Sequence, residues 1–171
     1  MSDNDIEKIQ KAWQESKSWL FAEEGCASEV YYCEVELQNL FTTLREISSL
    51  ATGFEIISYN KTFVSLEELI SDIENEKISE FILDCQIPVE DMVLKIKLFG
   101  DRSVNKKFDI ELLWFPDEVM NIKNMNEFHK FEIIMKYFLR LQETFKTPNL
   151  YVGPEQVQSP LDKGASWTEI K

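Results

Sequence analysis

The chain has 171 residues, and its 31 acidic against 18 basic side chains give a formal charge of −13. A chain of this length buries roughly 70% of its unfolded surface, enough for a core without disulfide or metal staples. The acidic balance, with no block of basic residues, argues against direct nucleic-acid binding, which needs a basic stripe to displace counterions, and against docking on an anionic membrane.

Hydrophobic residues at 44% and aromatics at 12% describe a chain that folds. The opening Met1-Ser2-Asp3-Asn4-Asp5 has neither a basic region nor an apolar run, so no secretion signal is expected. No segment holds the roughly 20 apolar residues of a membrane span. Asp3 or Asp5 caps a first helix, in which Ile6, Ile9, Trp13 and Leu20 recur at helical steps with Lys17 as an interruption. Glu23-Glu24-Gly25 breaks it. Ser28 is expected to open a second helix with the stripe Val30, Cys33, Leu37, Leu40, Phe41, Leu44 and Ile47, ended by Gly53. The pair reads as a helical hairpin over 1–52.

Residues 54–59 are β-prone, Asn60-Lys61 is a turn and residues 62–64 return as a short strand. Ser65 and Glu68 match a capping box ahead of a short helix faced by Leu66, Leu69, Ile70 and Ile73. Three alternating segments follow, on Phe81, Leu83 and Cys85, on Leu94, Ile96 and Leu98, and on Phe108, Ile110, Leu112 and Trp114. Alternation of this kind predicts an antiparallel meander with one buried face. Matching apolar to apolar pairs Ile96 with Ile110 and Leu83 with Ile96, and sets Lys95 and Lys97 opposite Glu111 and Asp109 as a charge ladder. Gly100-Asp101 reads as a hairpin turn. Asn126 caps a long helix striped by Phe128, Phe131, Ile134, Met135, Phe138, Leu141 and Phe145, which Thr147-Pro148 ends. Leu150 to Val152 adds a last strand. The fold class is therefore α+β: one mainly antiparallel sheet of about five strands, covered by the N-terminal hairpin and the long C-terminal helix. The chain is expected to be a single domain, with 1–52 helical, 53–152 the sheet with two helices, and 153–171 a polar tail.

Little in the chain points to catalysis. The single histidine, His129, lies off its helix's apolar stripe and reads as a solvated surface residue. Three cysteines, Cys26, Cys33 and Cys85, are not spaced as metal ligands, and Cys33 and Cys85 read as small core residues of a reducing compartment, hence the cytoplasm. The five glycines are isolated, which excludes phosphate loops. Asp109 and Glu111 share a strand face, but the lysines expected opposite assign them to the ladder rather than to a catalytic pair. Asp117, Glu118 and Glu155 stand at element ends, where binding residues concentrate. Aromatics rimmed by acids, Tyr31, Tyr32, Phe41, Phe115, Tyr151 and Trp167 among them, suit an interface with a basic partner.

The run Phe108-Asp109-Ile110-Glu111-Leu112-Leu113-Trp114-Phe115-Pro116-Asp117, the Phe-rich helix 126–145 and the closing Leu150-Tyr151-Val152-Gly153-Pro154-Glu155 come in an order that resembles the toxin-immunity proteins of bacterial polymorphic and contact-dependent inhibition systems. The resemblance covers residues 80–155 in pattern. It implies a small, acidic, cytoplasmic α+β protein that sits on a toxin domain and blocks its active site. Such a protein is no enzyme and needs no cofactor or metal. Its partner is a basic toxin domain, for instance a nuclease, since a basic cleft that holds phosphates also attracts an acidic plug. The residues expected at the contact are Asp117, Glu118, Tyr151 and Glu155. The alternative from the same composition is an acidic secretion-type chaperone that wraps an unfolded effector as a dimer.

Overall fold

The computed structural model describes residues 3–20, 27–58, 61–103, 105–120, 125–154 and 168–170. Its elements, in chain order, are α1 (Asp3–Leu20), β1 (Ser28–Val35), α2 (Leu37–Leu50), β2 (Gly53–Ser58), β3 (Lys61–Thr62), α3 (Leu66–Glu74), β4 (Glu80–Val89), β5 (Met92–Arg102), β6 (Phe108–Trp114), α4 (Pro116–Met120), α5 (Glu127–Phe145), β7 (Leu150–Pro154) and β8 (Thr168–Ile170). The strands form one sheet in the order β3-β2-β4-β5-β6-β1-β7-β8, every neighbouring pair antiparallel. The α+β class, the antiparallel sheet, the two N-terminal helices and the long C-terminal helix are as expected, and the sheet is wider than five strands. None of the described helices is long and apolar enough to cross a membrane.

The N-terminal segment departs most from expectation. The second helix begins at Leu37, and residues 28–35 are a strand between β6 and β7. Val30, Cys33 and Leu37 fall at helical spacing, but Val30 and Tyr32 also alternate, and a β-branched and aromatic run with neighbours on both edges pairs better than it coils. Glu34 takes a positive φ of 54° at the end of the strand, where the ladder to β6 shifts between Tyr32 and Val35. The Asp109 carboxylate accepts from the Glu34 amide at 2.8 Å and so satisfies a donor that the bulge frees.

The helices pack on one face. Tyr32 donates from its hydroxyl to the Phe138 carbonyl at 2.9 Å and stacks on Phe145 at 4.9 Å, which fixes α5 over β1. Trp114 meets Phe138 at 6.1 Å. α1 lies on α5 through Trp13, whose ring centroid is 5.9 Å from Phe128 and 5.2 Å from Phe131. α2 buries Leu40, Phe41, Leu44 and Ile47, and packs against α5 and β4. Both expected caps are present: Asn126 accepts from the His129 amide at 2.8 Å, and Ser65 from the Glu68 amide at 3.2 Å. The Glu68 carboxylate reaches back to the Val64 amide at 3.1 Å, one residue before the partner a capping box would use.

The parity of the central strands is as expected, and their offset is not. Leu83 pairs with Leu98 and Cys85 with Ile96; Ile96 faces Trp114 and Leu98 faces Leu112. The turns set these offsets. β4 and β5 close through Glu90-Asp91 alone, Glu90 at positive φ. β5 runs through Gly100 to Arg102, and the next turn is the loop 103–107, tied by the Lys106 amide to the Ser103 carbonyl at 3.1 Å. Gly100 is thus a strand residue and not a turn: it faces Phe81, and a methyl there would run into the Phe81 ring.

Candidate protein-binding face

The register decides which side chains share the face turned away from the helices. One row across it is Ile57, Ile82, Phe99, Glu111, Tyr31 and Tyr151. The next is Glu55, Asp84, Lys97, Leu113, Glu29 and Gly153. On the other side of the first row, Glu80 stands opposite Asp101 and Asp101 opposite Asp109. Tyr31, Tyr151, Phe99, Leu113 and Ile82 are half-buried, whereas their neighbours on the helical face, such as Val30, Leu98 and Leu112, are buried.

The charges on this face are uneven. Glu55, Glu80, Asp84, Asp101, Asp109 and Glu111 share it with Lys95 and Lys97, while Glu29, of the same parity, is buried. Both lysines are engaged, Lys97 with Asp84 at 3.7 Å and Lys95 with Glu118 at 3.1 Å. The expected ladder is therefore not formed. Asp109 faces Asp101 and Glu111 faces Phe99, because the offset moves both away from the lysines. Like charges directly opposite each other weaken a sheet, by roughly 0.2–1 kcal/mol per pair.

Of the four residues expected at a contact, Tyr151 stands on this face beside Tyr31, and its hydroxyl accepts from the Asn149 side-chain amide at 3.2 Å. Glu118 is exposed in α4 and borders the face through Lys95. The two are not adjacent: β7 and β5 are separated by β1 and β6, about 14 Å at ~4.8 Å per strand. Asp117 belongs to α4, but its side chain lies outside the described residues, as do all of Glu155, Cys26 and Trp167. Alternation along β5 and β6 already puts Phe99 beside Lys97 and Leu113 beside Glu111 on one side; which residues they meet across the sheet, and the Tyr31–Tyr151 pairing, escaped the sequence reading, because they depend on offsets set by turns.

The remaining chemistry is quiet. The Cys33 thiol, on the open face rather than in the core, is pushed up to about 12, first by burial and then by Asp109 and Glu34. Burial, then Asp84, pushes the core thiol of Cys85 up to about 12 as well. Both stay protonated and unreactive near neutral pH. His129 is solvated, with Nδ1 3.2 Å from a Glu132 carboxylate oxygen. Among the described residues no group of three or more His, Cys, Asp or Glu is arranged to hold a metal ion.

No protein-family model matches the chain, and no curated protein matches it. Among solved structures it is similar to a chain in the crystal structure of the toxic C-terminal tip of CdiA from Pseudomonas aeruginosa in complex with immune protein. The likeness covers 78% of this chain and 89% of that one, at 21% identity and a TM-score of 0.48.

Proposed function

We propose that the chain is an immunity protein of the cytoplasm, which binds a cognate toxin domain through the open face of its sheet and covers that domain's active site. It does so as a plug, without catalysis or a cofactor of its own. The observation that supports this reading is the make-up of the face: half-buried aromatics among carboxylates, both lysines already engaged. From β4 to β7 the face measures about 19 Å across and, along eight residues of β5, about 26 Å. That is roughly 500 Å² in projection, on the scale of the ~800 Å² that one partner gives to a standard interface. Such a surface fits a basic partner, a nuclease cleft being one example, and long-range attraction would speed the encounter.

Tyr151, with Tyr31, is the proposed anchor and Glu118 a border residue. Asp117 and Glu155 remain in the proposal on their place in the sequence alone. The test is a pull-down with the tagged chain from its native cell, washed at low and then high salt, followed by variants of the captured pair. A single stoichiometric partner with a basic domain is expected, held less tightly in salt. Tyr151→Ala should weaken it by about ten-fold or more, and Asp101→Lys should slow association at low salt. A mixture of unfolded clients, or a partner indifferent to salt and to both variants, would overturn the reading.

A further inference from the structure

On the helical side of the molecule, a groove of about 760 Å³ opens between the start of α1 and the last turns of α5. Lys8, Lys136, Arg140 and Lys146 line it together with Asp5 and Glu143. Lys136 is held by Glu132 at 2.9 Å, and Arg140 by Glu46. Lys8 and Lys146 enter no ion pair among the described residues. Lys8 is half-exposed on α1, and Lys146 leaves α5 in the left-handed conformation, φ 54°. The wall after the helix is tied in place: the Gln142 amide donates to the Thr147 and Pro148 carbonyls at 3.3 and 3.2 Å. Leu139 and Pro148 supply apolar surface between the cations.

A volume of this size lies within the roughly 300–1,000 Å³ of small-molecule sites, which pair apolar walls with a few fixed polar groups. We infer that the groove binds a small anion with an apolar body, its phosphate or carboxylate head between Lys8 and Lys146 and its body against Leu139 and Pro148. Lys136 and Arg140 are neutralised by their carboxylate partners, and the two cations outside ion pairs take the charge of the ligand. Because α5 packs on the face opposite to the one proposed for the toxin, both sites can be filled together, and the inference does not rest on the immunity reading.

The experiment is an NMR titration of the full chain with AMP as the probe, and with inorganic phosphate at matched ionic strength. Saturable shifts at the amides of Lys8, Leu139, Lys146 and Thr147 are expected with AMP, and weaker ones with phosphate. The variant Lys8→Glu/Lys146→Glu should bind AMP about ten-fold more weakly, with Lys146→Gln intermediate and the unfolding midpoint unchanged. The inference is overturned by a flat AMP titration, by shifts that survive the double reversal, or by phosphate binding as well as AMP.

Discussion

Gly100 and Phe81 show how much one atom decides. The glycine is buried in β5, and the Phe81 ring occupies the space that a side chain would need, itself 5.9 Å from the Phe108 ring. Gly100→Ala is expected to destabilise the fold by about 1–3 kcal/mol, the usual cost of overpacking; an unchanged urea midpoint would mean that the ring swings aside. In the sequence this residue reads as a turn because glycine serves turns and close approaches alike, and only the partner strand tells them apart. Asp72 decides in another way. Lys61 and Lys77 each lie 2.9 Å from its carboxylate and hold its pKa below the usual value, while Lys61 and the Val64 amide do the same for Glu68, and Arg45 for Glu67. A carboxyl lowered on folding contributes its stability above its unfolded pKa and loses it as pH falls through the folded value. The unfolding midpoint should therefore be level at neutral pH and fall below about pH 4. Asp72→Asn should lower stability at pH 7 and make the acid fall shallower. Parallel curves for the two proteins would show that the pair contributes nothing.

At the scale of elements, period and capping were legible and offset was not. The stripes of α3 and α5, the caps Ser65 and Asn126 and the inward sets of β4, β5 and β6 all stand where local chemistry puts them. Ser65→Ala should cost about 1 kcal/mol, read from the urea midpoint. β1 misled because Val30, Cys33 and Leu37 satisfy the helical period while Val30 and Tyr32 satisfy the strand period. Its partners lie far along the chain, at 108–114 and 150–154, where no local pattern reaches. The hydrogen bond from Tyr32 to the Phe138 carbonyl ties that strand to α5, and Tyr32→Phe tests it: a loss of about 0.5–1.5 kcal/mol is expected. No loss would leave packing alone to hold the strand. The offsets of β4, β5 and β6 follow from a two-residue turn and a five-residue loop, and any even shift would have kept every apolar side chain inside.

At the scale of the molecule the parity that puts Lys95, Lys97, Asp109 and Glu111 on one face was legible, and the offsets that decide which of them meet were not. The facing of Asp101 and Asp109 makes a testable trade-off. Asp101→Lys should stabilise the free chain by about 0.2–1 kcal/mol at low salt, since it replaces a repulsion by an attraction, and less at high salt. The same change should impair capture of a basic partner. A variant that is more stable and binds as well would separate the acidic row from function; one that is more stable and binds worse would show a surface retained at a cost in stability.

β1 also sets a timetable. It leaves the ribosome well before β6 and longer still before β7, the two strands that flank it. At ~5–20 residues per second, the interval from β1 to β7 is on the order of 10 s. Until β6 emerges Val30 and Tyr32 have no sheet to enter, and for the rest of that time the edge that β7 will cover stays open to other chains. Local helices can form early, but the pairing that makes the sheet continuous is among the longest in reach and so among the slowest. Newly made molecules therefore pass through a sticky, incomplete stage, and the open face acquires its shape only after the strand at 150–154 has emerged.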